Sequence, residues 1–291
     1  MALEIWTIKK LLEWISEYFE SSGVDSPRLS AELLLCHVLK LERIQLYTLY
    51  DRVVQAEQLT ALRALVKRGA EQEPVAYLVG RCEFYSMPLK ITPDCLIPRP
   101  ETEHLVERAV DFLRGRPSPQ YVLDLCTGSG CIAAAIAKNV KDVQVVATDI
   151  CDNALKVAAE NIRRHKLDNK VKLLCGDLFD AIIEGLDETR FDLIVTNPPY
   201  VSDLEYEKLD KNVKDYEPKL ALYAGLEGLD TYERILEKVE DFLKPDGSLM
   251  MEIGYAQGPA IQRMLEGSNI FKGVRIEKDF ANNDRIAIAK K

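Results

Sequence analysis

Asn197-Pro198-Pro199-Tyr200 is the run whose residue types can do chemistry together. An amide or exocyclic amine delocalises its nitrogen lone pair into a π system and is a poor nucleophile. A site that alkylates such a nitrogen must hold the group, accept hydrogen bonds from its N–H atoms, and aim it at the carbon being transferred. The Asn197 carboxamide oxygen and the Pro198 carbonyl are two acceptors for those hydrogens. Pro198 and Pro199 stiffen the backbone that presents them, and Tyr200 offers a flat face against a planar group. A strand end followed by a proline turn would account for a lone Asn-Pro. Here the run follows Phe191-Asp192-Leu193-Ile194-Val195-Thr196, a buried-strand pattern.

A second constellation lies upstream. Tyr121-Val122-Leu123-Asp124-Leu125 reads as a buried strand, Cys126-Thr127-Gly128-Ser129-Gly130 as a tight turn, and Cys131 to Ala137 as a helix apolar nearly all round, packed on a sheet. Gly128 and Gly130 allow positive φ and close approach of a ligand. Asp149 ends a further apolar run, Val143 to Thr148, at the spacing of a carboxylate that bonds ribose hydroxyls. The pattern points to a nucleotide and leaves NAD open. An oxidoreductase, however, would leave residues 197–200 without a purpose.

Together these residues resemble the class I S-adenosylmethionine-dependent methyltransferases. More narrowly, the chain is similar to the family that methylates the glutamine side-chain nitrogen of peptide chain release factors. The narrower resemblance rests on Ile97-Pro98-Arg99-Pro100-Glu101-Thr102-Glu103, residues 123–130, residues 197–200, Tyr216-Glu217-Pro218 with Ala221-Leu222, and Glu252-Ile253-Gly254 with Gln257. Two departures stand out. Cys126 occupies a place where the family usually has glycine, and Asn282-Asn283 replaces a glycine between Asp279 and Arg285.

The resemblance implies S-adenosyl-L-methionine as cofactor, held by Cys126, Thr127, Gly128, Ser129, Gly130, Asp149, Asp177, Leu178 and Asn197. It implies Asn197, Pro198 and Tyr200 as catalytic residues, with Asn197, Pro198, Pro199 and Tyr200 binding the substrate. The substrate is then the glutamine of the Gly-Gly-Gln loop in release factors 1 and 2, whose N5 methylation modulates translation termination. The sulfonium of the donor supplies the leaving group, so no metal or strong base is needed. Asp124 is expected to order the turn; Asp177 reads either as a ligand contact or as a helix cap. Arg99 to Glu103 reads equally as a border of the site or as domain-junction stiffening. Tyr216-Glu217-Pro218 is expected to shape a wall. The rival reading is an adenine-N6 methyltransferase on DNA or RNA, which the same four residues would serve by base flipping.

Composition weighs against that rival. The net charge is −9, and the first 80 residues hold nine basic against eleven acidic side chains, so neither part offers a broad nucleic-acid surface. Apolar residues at 47% and charged residues at 29% suit an ordinary folded protein. No secretory signal pattern or ~20-residue apolar run is present. Seven scattered cysteines without a Cys-x-x-Cys pair read as reduced thiols, and Cys126 and Cys131 as structural. A cytoplasmic monomer without membrane attachment is the expectation.

The organisation reads as a helical bundle at 1–80 that recognises substrate, a linking β-hairpin at 81–98, and an α/β methyltransferase domain at 99–291. In the bundle, Ile5, Ile8, Leu12, Ile15 and Phe19 mark one helix that Gly23 ends, and Ser26-Pro27 starts a second bearing Leu29, Leu33, Leu34 and Val38. A third spans 57–71. His37 reads as a core histidine, and His104 and His165 lack a partner for base chemistry. Phe84-Tyr85 and Leu89 to Ile91 are expected to pair around a bend at Met87-Pro88. Beyond 99, strands and helices alternate as in a parallel sheet, with Asp152 or Asn153 capping a helix. Later strands lie at 171–175, 248–253, 274–277 and 285–289, the last two as an antiparallel hairpin. The fold class is a Rossmann-like seven-stranded sheet with that C-terminal hairpin.

Overall fold

Ile8, Leu11, Leu12, Ile15 and Phe19 recur at helical spacing and are buried along one side of α1 (Ile8–Ser21), which Thr7 caps by accepting a hydrogen bond from Lys10 N. Gly23, at φ +71°, lets the chain leave it. Ile5 precedes the helix and is exposed. Pro27 opens α2 (Pro27–Leu39), but Ser26 is left-handed and its side chain makes no cap. The buried face of α2 is Ala31, Leu34, Leu35 and Leu39, whereas Leu29 points to solvent. Two short helices, α3 (Arg43–Thr48) and α5 (Val75–Val79), escape the sequence pattern because one or two turns show no period; α4 (Ala56–Ala70) matches the expected third helix. His37 is half-buried, and burial together with Lys40 and Arg81 lowers its pKa. It is a packed histidine.

The computed structural model describes residues 5–185 and 190–291. The chain divides into two units: one runs up to Arg81 and takes in Asp210–Tyr216, the other comprises Cys82–Leu209 and Glu217–Lys291. The downstream stretch includes α11 (Lys211–Lys214) and joins the helices through Asn212, which donates to Asp25 Oδ2 at 3.2 Å, and Tyr216, whose hydroxyl donates to Glu71 O at 3.2 Å.

A hairpin of β1 (Arg81–Phe84) and β2 (Met87–Lys90) begins the second unit. Its bend is at Tyr85 and Ser86, both at positive φ. Met87-Pro88 lies inside β2, because Phe84, Met87 and Leu89 sink together into the core. The main sheet contains β3 (Gln120–Leu125), β4 (Val143–Asp149), β5 (Val171–Cys175), β6 (Phe191–Thr196), β7 (Leu243–Glu252), β8 (Gly273–Lys278) and β9 (Asp284–Lys290). Their order is β5-β4-β3-β6-β7-β9-β8; β5 to β7 are parallel, and β9 runs antiparallel to both β7 and β8. In the turn between β8 and β9, Asn282 adopts φ +65°, and Asp279 Oδ1 accepts from Ala281 N and Asn283 N. Asparagine tolerates that conformation, which is why the pair can replace a glycine.

The strands are apolar on both sides because both faces are covered. Val122, Val145, Leu193, Val195 and Met250 face α6 (Thr102–Arg114) and α7 (Cys131–Asn139). Leu123, Leu125, Ile194, Leu249 and Met251 face α12 (Asp230–Phe242) and α13 (Gly258–Gly267). Cys131 to Ala137 are all buried, as the uniformly apolar helix required. The remaining helices are α8 (Asp152–Arg164), α9 (Asp180–Gly185) and α10 (Asp203–Tyr206). Cys151, rather than Asp152 or Asn153, is the cap position of α8; its amide is taken by Asp149. No helix among the described residues is long and apolar enough to cross a membrane.

Candidate active site

β3 and β6 are parallel neighbours, with Leu125 opposite Thr196, so the turn after one and the loop after the other open at the same sheet edge. The turn after β3 uses three left-handed residues: Cys126 at φ +57°, Gly128 at +55° and Gly130 at +78°. Gly128 faces open space, whereas a Cβ on Gly130 would lie 3.0 Å from Ala158 Cβ. Gly130 therefore serves helix packing, and it does not line the cavity described below. Asp124, fully buried, orders the turn as expected. Its Oδ2 accepts from Thr127 Oγ1 at 2.6 Å and from Ala133 N at 3.1 Å, so a carboxylate at the end of β3 satisfies an amide at the start of α7. Burial pushes its pKa up to about 7 against those two hydrogen bonds. Asn161 adds a staple that no spacing announced: its amide donates to Ser129 O and Lys90 O and accepts from Lys90 N.

At the end of β4, Asp149 Oδ2 accepts from Gly128 N at 2.8 Å and Oδ1 from Cys151 N at 2.9 Å. Burial raises its pKa, and the backbone amides of Cys151, Gly128 and Ile150 oppose that shift. Each oxygen retains a lone pair for a further donor. Asp177 does not act as a side-chain helix cap; its carboxylate pairs with Arg234 at 2.6 Å. Leu178 follows it at φ +48° and is nearly buried.

A cavity of about 380 Å³ joins these groups to the loop after β6. Cys126, Thr127, Gly128, Ser129, Asp149, Asp177, Leu178, Asn197 and Pro199 all line it. Pro198 is buried, and Tyr200 packs against the core on the α12 side with its hydroxyl directed at Glu252 Oε1, 3.5 Å away; neither is among the lining residues. Burial and the Glu252 carboxylate push the Tyr200 hydroxyl pKa well up, so it stays a neutral phenol. The cavity volume suits a small cofactor. Among the described residues four carboxylates line it, Asp94, Asp149, Asp177 and Asp230, against one guanidinium, Arg234, already tied to Asp177. Such a wall favours a cationic ligand and repels a pyrophosphate.

The loop after β6 is pinned from several directions. Tyr200 N and Val201 N donate to Leu222 O at 3.1 and 2.8 Å. Gln257 Nε2 donates to Tyr200 O and to Gly228 O, while its Oε1 accepts from Gly254 N. The segment 97–103 contributes in two ways: Arg99 pairs with buried Glu217 at 2.5 Å, and Pro98 and Thr102 line the cavity that Asn197 also lines. Of the Tyr216-Glu217-Pro218 run, Pro218 lines the cavity, Glu217 buttresses Arg99, and Tyr216 belongs to the helical unit. Ile150, half exposed directly after Asp149, is a lining residue that the sequence reading passed over; a large aliphatic side chain left open next to the strand-end acid was its only signal.

The family model of the PrmC N-terminal domain matches residues 10–80, and that of the methyltransferase small domain matches residues 106–213. The release factor glutamine methyltransferase of Rhodopirellula baltica is 43% identical over 290 residues, covering 98% of this chain and 97% of its own. The chain belongs to the release factor glutamine methyltransferase family. The Geobacter sulfurreducens member is 42% identical over 262 residues, covering 90% of this chain and 89% of its own. Among solved structures, the catalytic domain of hMettl16 superposes with a TM-score of 0.55 at 15% identity, covering 83% of this chain and 84% of that one, a likeness of fold.

Proposed function

We propose that the protein transfers the methyl group of S-adenosyl-L-methionine to the side-chain nitrogen N5 of the glutamine in the Gly-Gly-Gln loop of release factors 1 and 2. The observation that carries this reading is that the β3 turn with Asp149 and the Asn197 loop line one cavity. The acidic lining suits a donor carrying a sulfonium and an ammonium. Asp149 holds the ribose with the lone pairs its two backbone partners leave free, Cys126 to Gly128 and Ser129 flank the amino-acid part, and Asp177 and Leu178 border the adenine.

The donor supplies an electrophilic methyl on a good leaving group, so the protein's task is orientation. Asn197 Oδ1 and the Pro198 carbonyl accept the two hydrogens of the glutamine amide and turn its nitrogen toward the methyl. Pro199 and the pinned loop hold that geometry, and Tyr200 stiffens it from the core side. After transfer the amide nitrogen is cationic and acidic, so its proton leaves to solvent without a dedicated base. The helical unit grasps the protein substrate, and the enzyme works as a cytoplasmic monomer.

Mass spectrometry on release factor incubated with protein and donor tests the reading: a gain of one methyl on the loop glutamine is expected. Label entering duplex DNA and no release factor would reverse it in favour of adenine methylation. Calorimetry is expected to show binding of S-adenosylmethionine and none of NAD.

A further inference from the structure

Asn197 can present either its oxygen or its nitrogen to a substrate amide, and only the oxygen is useful. The choice is made by neighbours far away in the chain. Asn197 Nδ2 lies 3.2 Å from Thr102 Oγ1, and Thr102 Oγ1 lies 2.6 Å from Glu252 Oε2. Thr102 is 2% exposed and Glu252 1%, so both groups are largely shielded from water. A threonine hydroxyl has one proton and two lone pairs, and an ionised carboxylate only accepts. Burial raises the Glu252 pKa, but the Thr102 and Tyr200 hydroxyls on its two oxygens and the nearby Arg285 charge oppose that shift and favour the ionised form. The Thr102 proton therefore goes to Glu252, which leaves Thr102 able only to accept on its other side. Only the NH2 end of Asn197 satisfies that acceptor, and Oδ1 is turned the other way. Glu252 is itself fixed: its carbonyl accepts from Tyr232 OH at 2.9 Å, and its second carboxylate oxygen faces Tyr200 OH.

We propose that Thr102 is a positioning residue which, directed by Glu252, locks the Asn197 carboxamide with its oxygen toward the substrate amide. This rests on the glutamine-methylation reading and adds what sets the polarity of its key acceptor. The relay ties the start of α6 and the end of β7 to the acceptor loop, and so gives the threonine of the 97–103 segment a task in catalysis.

Three substitutions test it: Thr102→Val keeps shape and removes the hydroxyl, Thr102→Ser keeps the hydroxyl, and Asn197→Ala removes the group being positioned. Single-turnover transfer to release factor is read at saturating donor, with donor affinity measured separately by calorimetry and folding by thermal melting. Thr102→Val is expected to slow transfer by about 10-fold or more while donor affinity stays within about twofold, and Thr102→Ser to restore the rate to within about threefold of wild type. On the Asn197→Ala background, Thr102→Val is expected to add less than about a twofold further loss, because the group it positions is gone. Equal losses in Thr102→Val and Thr102→Ser, or a full additive loss in the double variant, would overturn the proposal. If Thr102→Val does not fold, Thr102→Ala in the same cycle replaces it. A wild-type protein that methylates no release factor would overturn the underlying reading, and that control is seen before any variant is compared.

Discussion

At the scale of single residues, Asn197 carries the sharpest expectation. Asn197→Ala should leave folding and donor affinity nearly intact and slow single-turnover transfer by ~10²–10³-fold, the usual loss for one oriented polar contact to the reacting group. Asn197→Asp keeps an acceptor oxygen, and its expected rate lies between alanine and wild type; equal rates for the alanine variant and wild type would remove Asn197 from the mechanism. Asp149→Ala should weaken donor binding by about 1–3 kcal/mol in calorimetry, partly because the Gly128 and Cys151 amides lose their acceptor. Asp124 gives a pH prediction. Unfolded, it titrates near ~3.9; folded, burial holds it at about 7. Between those values the folded state keeps a proton that the unfolded chain has lost, so stability falls as pH rises from about 4 to about 7 and then levels off. The interval corresponds to at most about 4 kcal/mol. Asp124→Asn lacks this slope, so denaturation of the donor-free protein should show its stability relative to wild type improving as pH rises. A parallel pH dependence for the two proteins would contradict the assignment.

At the scale of elements, the turn between β3 and α7 is the most constrained piece. Gly130→Ala adds a Cβ at φ +78° and presses it to 3.0 Å from Ala158 on α8. The expected cost is about 1–3 kcal/mol in urea denaturation, with weaker donor binding alongside; an unchanged midpoint would show that α7 and α8 yield freely. Much of this was legible in the sequence. The buried strands announced themselves as apolar runs, α7 as a helix apolar on every side, and the site strands by what followed them, Gly128 to Gly130 and Asn197 to Tyr200. What stayed hidden has a common cause. Thr102 meets Glu252 across 150 positions and Arg99 meets Glu217 across 118, and no local period encodes a contact of that range. Short elements such as α3 and α5 were missed because a single turn has no repeat to count. The phase of α2 was misread because Leu29 and Leu33 look as apolar as the leucines that are buried, and only packing separates them.

At the scale of the whole molecule, we expect the two parts to divide labour. A chain starting near residue 82 should still bind donor yet methylate intact release factor poorly, as measured by calorimetry and by label incorporation. Full activity in that shortened chain would reduce the helices to a stabilising attachment. Asp210–Tyr216, which groups with those helices, would then be left without Asp25 and Glu71, so some loss of stability should accompany the truncation. The strand order bears on how the polypeptide emerges from synthesis. β3 meets β4 soon after both are made, but its other edge waits for β6, whose residues follow their partners by 71 positions. Through that interval a strand bearing Val122, Leu123 and Leu125 shows a row of unmatched backbone groups along one side. The half-built sheet is the stage most open to pairing with another nascent chain. Completion of β6 closes that edge and in the same step brings the Asn197 loop to the cavity.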